Sequence, residues 1–162
     1  QQYLGRKEIM KKVDKTFISS TFWTERIGST AALKTLEVMQ RKQSWKIITE
    51  KGKYIKKKWK EIFDKYKINV EIKGIDSLPS FKFVDYDQNY CKTFITQEML
   101  RFNILATDTI YVSVMHTYKL INLYFYYFEL VVSQLKQFEI EKKLSKKPYV
   151  KKLSFNGLKR MN

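Results

Sequence analysis

The chain has 162 residues, of which 44% are hydrophobic and 15% are aromatic. This length suits one domain or a large piece of one, and the apolar content excludes an intrinsically disordered chain. One cysteine and one histidine cannot build a disulfide framework or a Cys/His metal site, so a reducing, cytoplasmic location is expected. The chain opens without Met or a basic-then-apolar leader, and we therefore expect a fragment of a longer protein.

The formal charge of +16 invites a nucleic-acid interpretation, but only five of the 32 basic residues are arginines. Protein sites that recognise base edges or bind phosphates in two places commonly use arginine, because its planar guanidinium can bond two acceptors at once. The densest basic stretch, residues 51–67, falls on the polar side of a predicted helix and is interpreted as a solvated face. We expect no specific nucleic-acid site; a basic, non-enzymatic module that binds nucleic acid or another polyanion is the alternative.

No membrane span is predicted. The most apolar window, residues 120–135, is interrupted by Asn122, Glu129, Ser133 and Gln134, so it falls short of about 18 uninterrupted apolar residues. Its polar side also lacks the Lys/Arg stripe of an interfacial helix.

The first half of the chain predicts helices. A short amphipathic helix is expected over residues 7–15, followed by a hydroxyl-rich, β-prone segment at 16–22 and a helix over 26–41. Apolar residues then recur at steps of three and four, which predicts an amphipathic helix whose aromatic stripe is core. The stripe consists of Trp45, Ile48, Gly52, Ile55, Trp59, Ile62 and Tyr66.

The second half mixes strands and helices. Alternation at Val70 and Ile72, and at Phe81 and Phe83, predicts two neighbouring strands, with Gly74 in their connection. Helical spacing returns over residues 91–102, and residues 110–114 predict a third strand. A long helix is expected over 118–142, and its inward residues are predicted to be Leu120, Tyr124, Tyr127, Val131, Leu135 and Phe138. The predicted fold class is α+β, with helices laid over a small three-stranded sheet.

Candidate reactive residues outside the resemblance discussed next have ordinary structural interpretations. His116 precedes Thr117 at a predicted strand end, where capping or packing is the usual role. Cys91 lies on an apolar helix face and is expected to be an inert buried thiol. The acidic segment 85–87 is more typical of a turn than of an acid/base pair.

An ordered series of segments resembles class III pyridoxal-phosphate aminotransferases, in the branch near glutamate-1-semialdehyde aminomutase. The segments are GRKEIM (5–10), TFISSTFW (16–23), AALKTLEVM (31–39), FITQEML (94–100), HT (116–117) and GLKRMN (157–162). The resemblance covers nearly the whole chain and is most specific at residues 16–39. It implies the C-terminal part of a fold type I enzyme: residues 1–41 end the large domain, 42–143 form the small domain, and 144–162 form a basic tail.

The resemblance also implies chemistry and partners. Such enzymes are homodimers through the large domain, use pyridoxal 5′-phosphate, and move an amino group between small-molecule donors and acceptors. Their Schiff-base lysine lies upstream of the segment matched by residues 5–8, hence before residue 1. The chain alone is therefore expected to be inactive, with no catalytic residue and no metal ligand.

One family site falls inside the chain. The Thr of a Ser-Thr-Phe pattern, matched by Thr21 with Ser20 as a weaker second, binds the cofactor phosphate of the neighbouring subunit. A hydroxyl and a backbone N–H ahead of a helix suit phosphate, although on the residues alone a local turn role is favoured. The chain departs from the family at Glu25 and Arg26, which are expected to form a structural ion pair or helix-start charges rather than substrate contacts.

Overall fold

The computed structural model describes residues 6–12, 15 and 25–145, with side chains as far as residue 137. It divides into two compact units, residues 1–41 and 42–162. The predicted β-prone segment at 16–22, with Ser20 and Thr21, and the tail beyond residue 145 lie outside the described residues. None of the helices, as far as they are described, is long and apolar enough to cross a membrane.

Where it is described, the first unit has the helices α1 (Lys7–Met10) and α2 (Arg26–Lys42). The prediction of a helix at 26–41 is confirmed. The prediction over 7–15 is wrong in extent, because Lys11 and Lys12 already form a turn. No residue of α1 is buried, so no packing against its apolar side sustains a longer helix.

The second unit contains α3 (Ser44–Lys65), β1 (Val70–Lys73), β2 (Ser80–Phe83), α4 (Gln88–Leu100) and α5 (Tyr118–Ser145). The two strands form an antiparallel hairpin in which Val70 pairs with Phe83 and Ile72 with Phe81. Helix α3 contacts β1 and α5, and α4 contacts β2 and α5. The predicted α+β class, with helices over a small sheet, is confirmed.

The core of the second unit is built from aromatic rings. Phe63 of α3 makes edge contacts with Phe81, Phe83 and Phe128 at centroid distances of 5.0, 5.7 and 5.7 Å. All four side chains are at most 2% exposed. Burying each such ring contributes on the order of 1.5–3 kcal/mol, so this cluster holds α3, the hairpin and α5 together.

The predicted third strand at 110–114 is wrong, because the sheet has two strands. Residues 109–112 do approach β2: Ser80 and Thr109 form an isolated bridge, Ile110 N donates to Pro79 O, and Val112 N donates to Ser77 O. The ladder would next require an N–H at position 79 to donate to Ile110 O. Proline has no such hydrogen, so the pairing stays interrupted.

The stripe predicted on α3 is core only in part. Trp59 is fully buried, whereas Trp45 is 45% exposed. Trp45 is the second residue of the helix, and the core residues that α3 supplies lie later, at Ile55, Trp59, Ile62 and Phe63. The indole at the first turn therefore stays at the surface.

The inward face predicted for α5 is correct in part, because Tyr124 and Tyr127 are half-buried against the core. Leu120 is 53% exposed, whereas Ile121, Phe125 and Phe128 are buried. Val131 and Leu135 are buried as predicted, and the side chain of Phe138 lies outside the described set.

Glycine allows one close approach that shapes this unit. A Cβ placed at Gly52 of α3 would lie 1.7 Å from the backbone oxygen of Asp76, in the connection between β1 and β2. Lys56, one turn later, donates to Gly74 O at 2.7 Å and pairs with the Asp76 carboxylate at 2.8 Å. The glycine thus lets α3 lie directly against the hairpin connection, and Lys56 fixes that contact.

Candidate functional site

The predicted phosphate-binding residues Ser20 and Thr21 lie outside the described residues, so they remain a prediction. The nearest described element is the start of α2 at Arg26, a helix of 17 residues. Its first turn contains no acidic residue. Backbone N–H groups at a helix start attract anions, and here the side chains of Glu25 and Arg26 add one negative and one positive charge beside them.

Glu25 and Arg26 are both exposed. No ion pair joins their side chains in the part of the chain that the structure describes. The expected alternative, a charge at the helix start, applies to Arg26, which is the first residue of α2.

Lys51 is the buried lysine of the described residues, with 8% of its surface exposed. Its Nζ donates to the backbone oxygen of Val114 at 2.8 Å and so joins α3 to the segment before α5. A lysine held in this way has a structural role.

The lysines of α3 that gave the sequence its densest positive stretch are largely engaged. Lys57 and Lys58 lie 3.9 and 3.0 Å from the Glu61 carboxylate, and Lys60 lies 2.8 Å from Asp64. Glu61, through hydrogen bonding and charge, raises the pKa of Lys58. The face is exposed and internally paired, as expected for a solvated helix surface.

Among the described residues of the second unit, two of the cavities are large enough to consider as sites. One, about 460 Å³, lies between α3 and α5 and is lined by Lys58, Glu61, Lys65 and Glu129 among others. Its polar groups bond one another: Lys65 pairs with Glu129, and Tyr54 Oη donates to Asn122 Oδ1 at 2.7 Å. These internal pairs satisfy the charged groups, so this charged cavity leaves little for a ligand to bond.

The second cavity, about 390 Å³, lies between α3, α5 and the segment 104–116. Its lining includes the apolar residues Ile55, Ala106, Ile110 and Ile121. The lining residues with polar side-chain atoms are Thr107, Thr109, Tyr111, His116 and Tyr124. None of the described residues that line it is Lys, Arg, Asp or Glu. We call this the apolar cavity.

Tyr124 is a titratable group of α5 whose hydroxyl bonds to a buried side chain of α3. Trp59 Nε1 donates to its hydroxyl oxygen at 3.1 Å, and its ring stacks on Phe128 at 5.3 Å. Burial raises the pKa of Tyr124 far above its ordinary value, and the Trp59 hydrogen bond lowers it less. The phenol therefore stays protonated at neutral pH and is available as a hydrogen-bond donor.

The other sequence candidates have the structural roles expected of them. His116 Nδ1 accepts from Ser113 N at 3.3 Å, and the hydroxyl of Thr117 accepts from Leu120 N at 3.3 Å at the start of α5. Asp87 caps α4 by accepting from Tyr90 N at 2.7 Å. Cys91 is fully buried in the core. Sequence reasoning missed Tyr124 as a polar group, because its only signal was a place in an apolar helix.

Comparisons with known proteins agree with the resemblance found in the sequence. No protein-family model matches the chain. The chain is 26% identical over 105 residues to 3-aminobutyryl-CoA aminotransferase of Cloacimonas acidaminovorans, covering 62% of this chain and 25% of that protein. It is 29% identical over 119 residues to glutamate-1-semialdehyde 2,1-aminomutase 2 of Lachnoclostridium phytofermentans, covering 68% and 28%. The chain thus spans about a quarter of the length of these relatives.

A solved structure extends the likeness to the fold. The FumI protein of Sphingopyxis sp. MTA144, in its pyridoxal-phosphate internal aldimine form, superposes with a TM-score of 0.73 at 15% identity. The match covers 90% of this chain and 35% of FumI. The chain therefore has a fold found within that enzyme, and it resembles part of a class III pyridoxal-phosphate aminotransferase.

Proposed function

We propose that this chain is the C-terminal part of a pyridoxal-phosphate-dependent enzyme that transfers an amino group, as an aminotransferase or an aminomutase. The observation that carries the proposal is agreement between independent comparisons. Two relatives matched over 62% and 68% of the chain are both named for amino-group chemistry, and a fold match covers 90% of it. The enzyme works as a homodimer on small-molecule amino donors and acceptors.

Pyridoxal phosphate, when bound, supplies an electron sink for the chemistry of amines. In the proposal, Thr21 and Ser20 hold its phosphate with their hydroxyls, and the backbone N–H groups at the start of α2 add to the attraction. The second unit provides a rigid body that covers the substrate, because its aromatic core ties α3, the hairpin and α5 together.

The reactive lysine, in this proposal, belongs to a segment outside these 162 residues. Lys51, the buried lysine of the described residues, is bonded to Val114 O and keeps a structural role in this proposal. The 162-residue chain alone therefore catalyses no amino transfer.

The complete gene product and the 162-residue chain test the proposal side by side. Each is incubated with pyridoxal phosphate, reduced with borohydride and digested, and the modified lysine is located by mass spectrometry. We expect specific modification only in the complete product, together with amino transfer from an amino-acid donor to a keto acid or within one substrate. Stoichiometric modification of Lys51 in the short chain would contradict the assignment, as would a complete product that neither binds the cofactor nor transfers an amine.

A further inference from the structure

The apolar cavity of the second unit has the properties of a small-molecule site. Its volume of about 390 Å³ lies at the lower end of the range for ligand sites, about 300–1,000 Å³. It is bounded by regular elements, α3 through Ile55 and α5 through Ile121 and Tyr124, so its inner wall is preformed. Its mouth is apolar as well, since Leu105 is 85% and Tyr111 79% exposed.

Apart from the exposed hydroxyl of Tyr111, two side-chain hydrogen-bond donors of the lining have no acceptor among the described residues. Tyr124 Oη accepts from Trp59 Nε1 at 3.1 Å, which leaves the hydroxyl proton free to be donated. His116 Nδ1 accepts from Ser113 N at 3.3 Å, so Nε2 is the ring nitrogen that can donate. By contrast, the hydroxyl of Thr107 already donates to the Asp108 carboxylate at 2.9 Å.

The chemistry of the lining selects the ligand. No charged side chain among the described lining residues can pair with a ligand charge, and burying an unpaired charge is costly. Apolar walls with free donors instead suit an uncharged, largely apolar molecule that carries one hydrogen-bond acceptor.

We propose that the second unit binds a compact, uncharged, apolar molecule in this cavity, whose carbonyl-type oxygen accepts a hydrogen bond from Tyr124 Oη, with His116 Nε2 as the second donor. The site is independent of the proposed cofactor chemistry. It lies entirely within the second unit, and its test needs no enzymatic activity.

Three probes of similar size test separately whether the ligand needs a hydrogen-bond acceptor and whether it must be uncharged. Acetophenone carries the carbonyl acceptor, α-methylstyrene has nearly the same shape without it, and benzoate carries a charge. Binding to the full chain is followed by NMR of ¹³C-labelled isoleucine methyl groups, with Ile55, Ile110 and Ile121 as reporters in the wall. We expect acetophenone to bind about three- to tenfold more tightly than α-methylstyrene, the ratio set by one neutral hydrogen bond, and benzoate to bind least tightly.

Two variants locate the effect. Tyr124→Phe removes the first donor and leaves His116 Nε2, so it should lower the affinity for acetophenone toward that for α-methylstyrene. Ala106→Leu, which fills the cavity from a residue that is 8% exposed, should abolish binding of both probes. Val84→Leu, at an exposed position outside the lining, serves as the control and should leave binding unchanged. If Tyr124→Phe does not fold, Ala106→Leu decides the question alone.

Several results would overturn the proposal. They are equal affinities for the two neutral probes in the unchanged chain, tightest binding of benzoate, or retained binding in Ala106→Leu. The absence of shifts at the three isoleucines would likewise overturn it and would indicate that protein surface covers the cavity instead.

Discussion

Trp59 Nε1 of α3 donates a hydrogen bond to Tyr124 Oη of α5 at 3.1 Å. Trp59 is fully buried, so its indole N–H depends on this one acceptor. The bond therefore both joins α3 to α5 and leaves the tyrosine proton directed to other partners.

Replacing Tyr124 with Phe should destabilise the second unit by about 1–3 kcal/mol, because the buried indole N–H of Trp59 would lose its acceptor. Urea unfolding followed by tryptophan fluorescence measures the change. Tyr126→Phe is the matched control, since Tyr126 is 63% exposed, and should change the stability by less than about 0.5 kcal/mol. Equal effects of the two substitutions would mean that the hydrogen bond contributes nothing specific.

The same tyrosine predicts a loss of stability in alkali. Burial raises the pKa of Tyr124 in the folded chain, whereas a tyrosine in the unfolded chain has a pKa of about 10. Above that pH the folded chain retains the Tyr124 proton that the unfolded chain releases. The contribution of Tyr124 to the free energy of unfolding is therefore complete below about pH 10 and declines as the pH rises further. The slope approaches about 1.4 kcal/mol per pH unit.

Urea midpoints at pH 9, 10 and 11 test this dependence. The unchanged chain should lose stability between pH 10 and 11 more steeply than Tyr124→Phe does, since the other tyrosines contribute to both. Parallel curves for the two proteins would show that Tyr124 ionises normally.

Replacing glycine with alanine should have opposite effects on stability at two positions, because Gly52 lies against the hairpin connection and Gly28 does not. Gly52→Ala would place a methyl group 1.7 Å from Asp76 O, and the backbone displacement this requires should cost about 3 kcal/mol or more. Gly28→Ala, in α2 with nothing within 4 Å, should favour its helix by about 0.5–1 kcal/mol.

Circular dichroism at 222 nm and urea unfolding measure both variants. We expect Gly52→Ala to lower the midpoint sharply and Gly28→Ala to preserve or increase the helical signal. A harmless Gly52→Ala would mean that α3 does not lie against Asp76.

Replacing Pro79 should supply the backbone hydrogen bond that is missing between positions 79 and 110. Pro79→Val supplies an N–H where the ladder needs a donor to Ile110 O, and it keeps an apolar side chain at a buried position. The amide at position 79 should exchange slowly with solvent. The net stability change should be small, because about 0.5–1.5 kcal/mol from a hydrogen bond is offset by about 0.4–1 kcal/mol of lost proline rigidity. Rapid exchange of that amide would contradict the pairing assigned to residues 77–80.

The elements with strong periodicity could be predicted from the sequence. Alternating steps of three and four identify α3, and the period of two identifies β1 and β2, because in each the polar residues mark the solvent side. The phase of α5 could not be fixed in the same way. Residues 120–132 are apolar apart from Asn122 and Glu129, so there is little contrast to show whether Leu120 or Ile121 faces inward.

The third strand and the apolar cavity depend on information that periodicity does not carry. Residues 110–114 have a strand-like pattern, but pairing also depends on the partner segment, where Pro79 lacks the required donor. The cavity arises where the segment 104–116 crosses α3 and α5. The two proposed donors are on His116 and Tyr124. The local sequence patterns around these residues indicate only a helix start and a core position.

Recognition of the cofactor phosphate by Thr21 is tested most directly by comparing pyridoxal phosphate with pyridoxal, which lacks the phosphate. Dissociation constants are measured for the complete gene product, its Thr21→Ala variant, and Thr30→Ala, an exposed threonine of α2, as the control. A hydrogen bond to a charged group is worth about 1.5–3 kcal/mol, so Thr21→Ala should weaken pyridoxal phosphate about 10- to 100-fold. It should leave pyridoxal and the control unchanged. Equal affinities of Thr21→Ala and Thr30→Ala for pyridoxal phosphate would contradict the assignment.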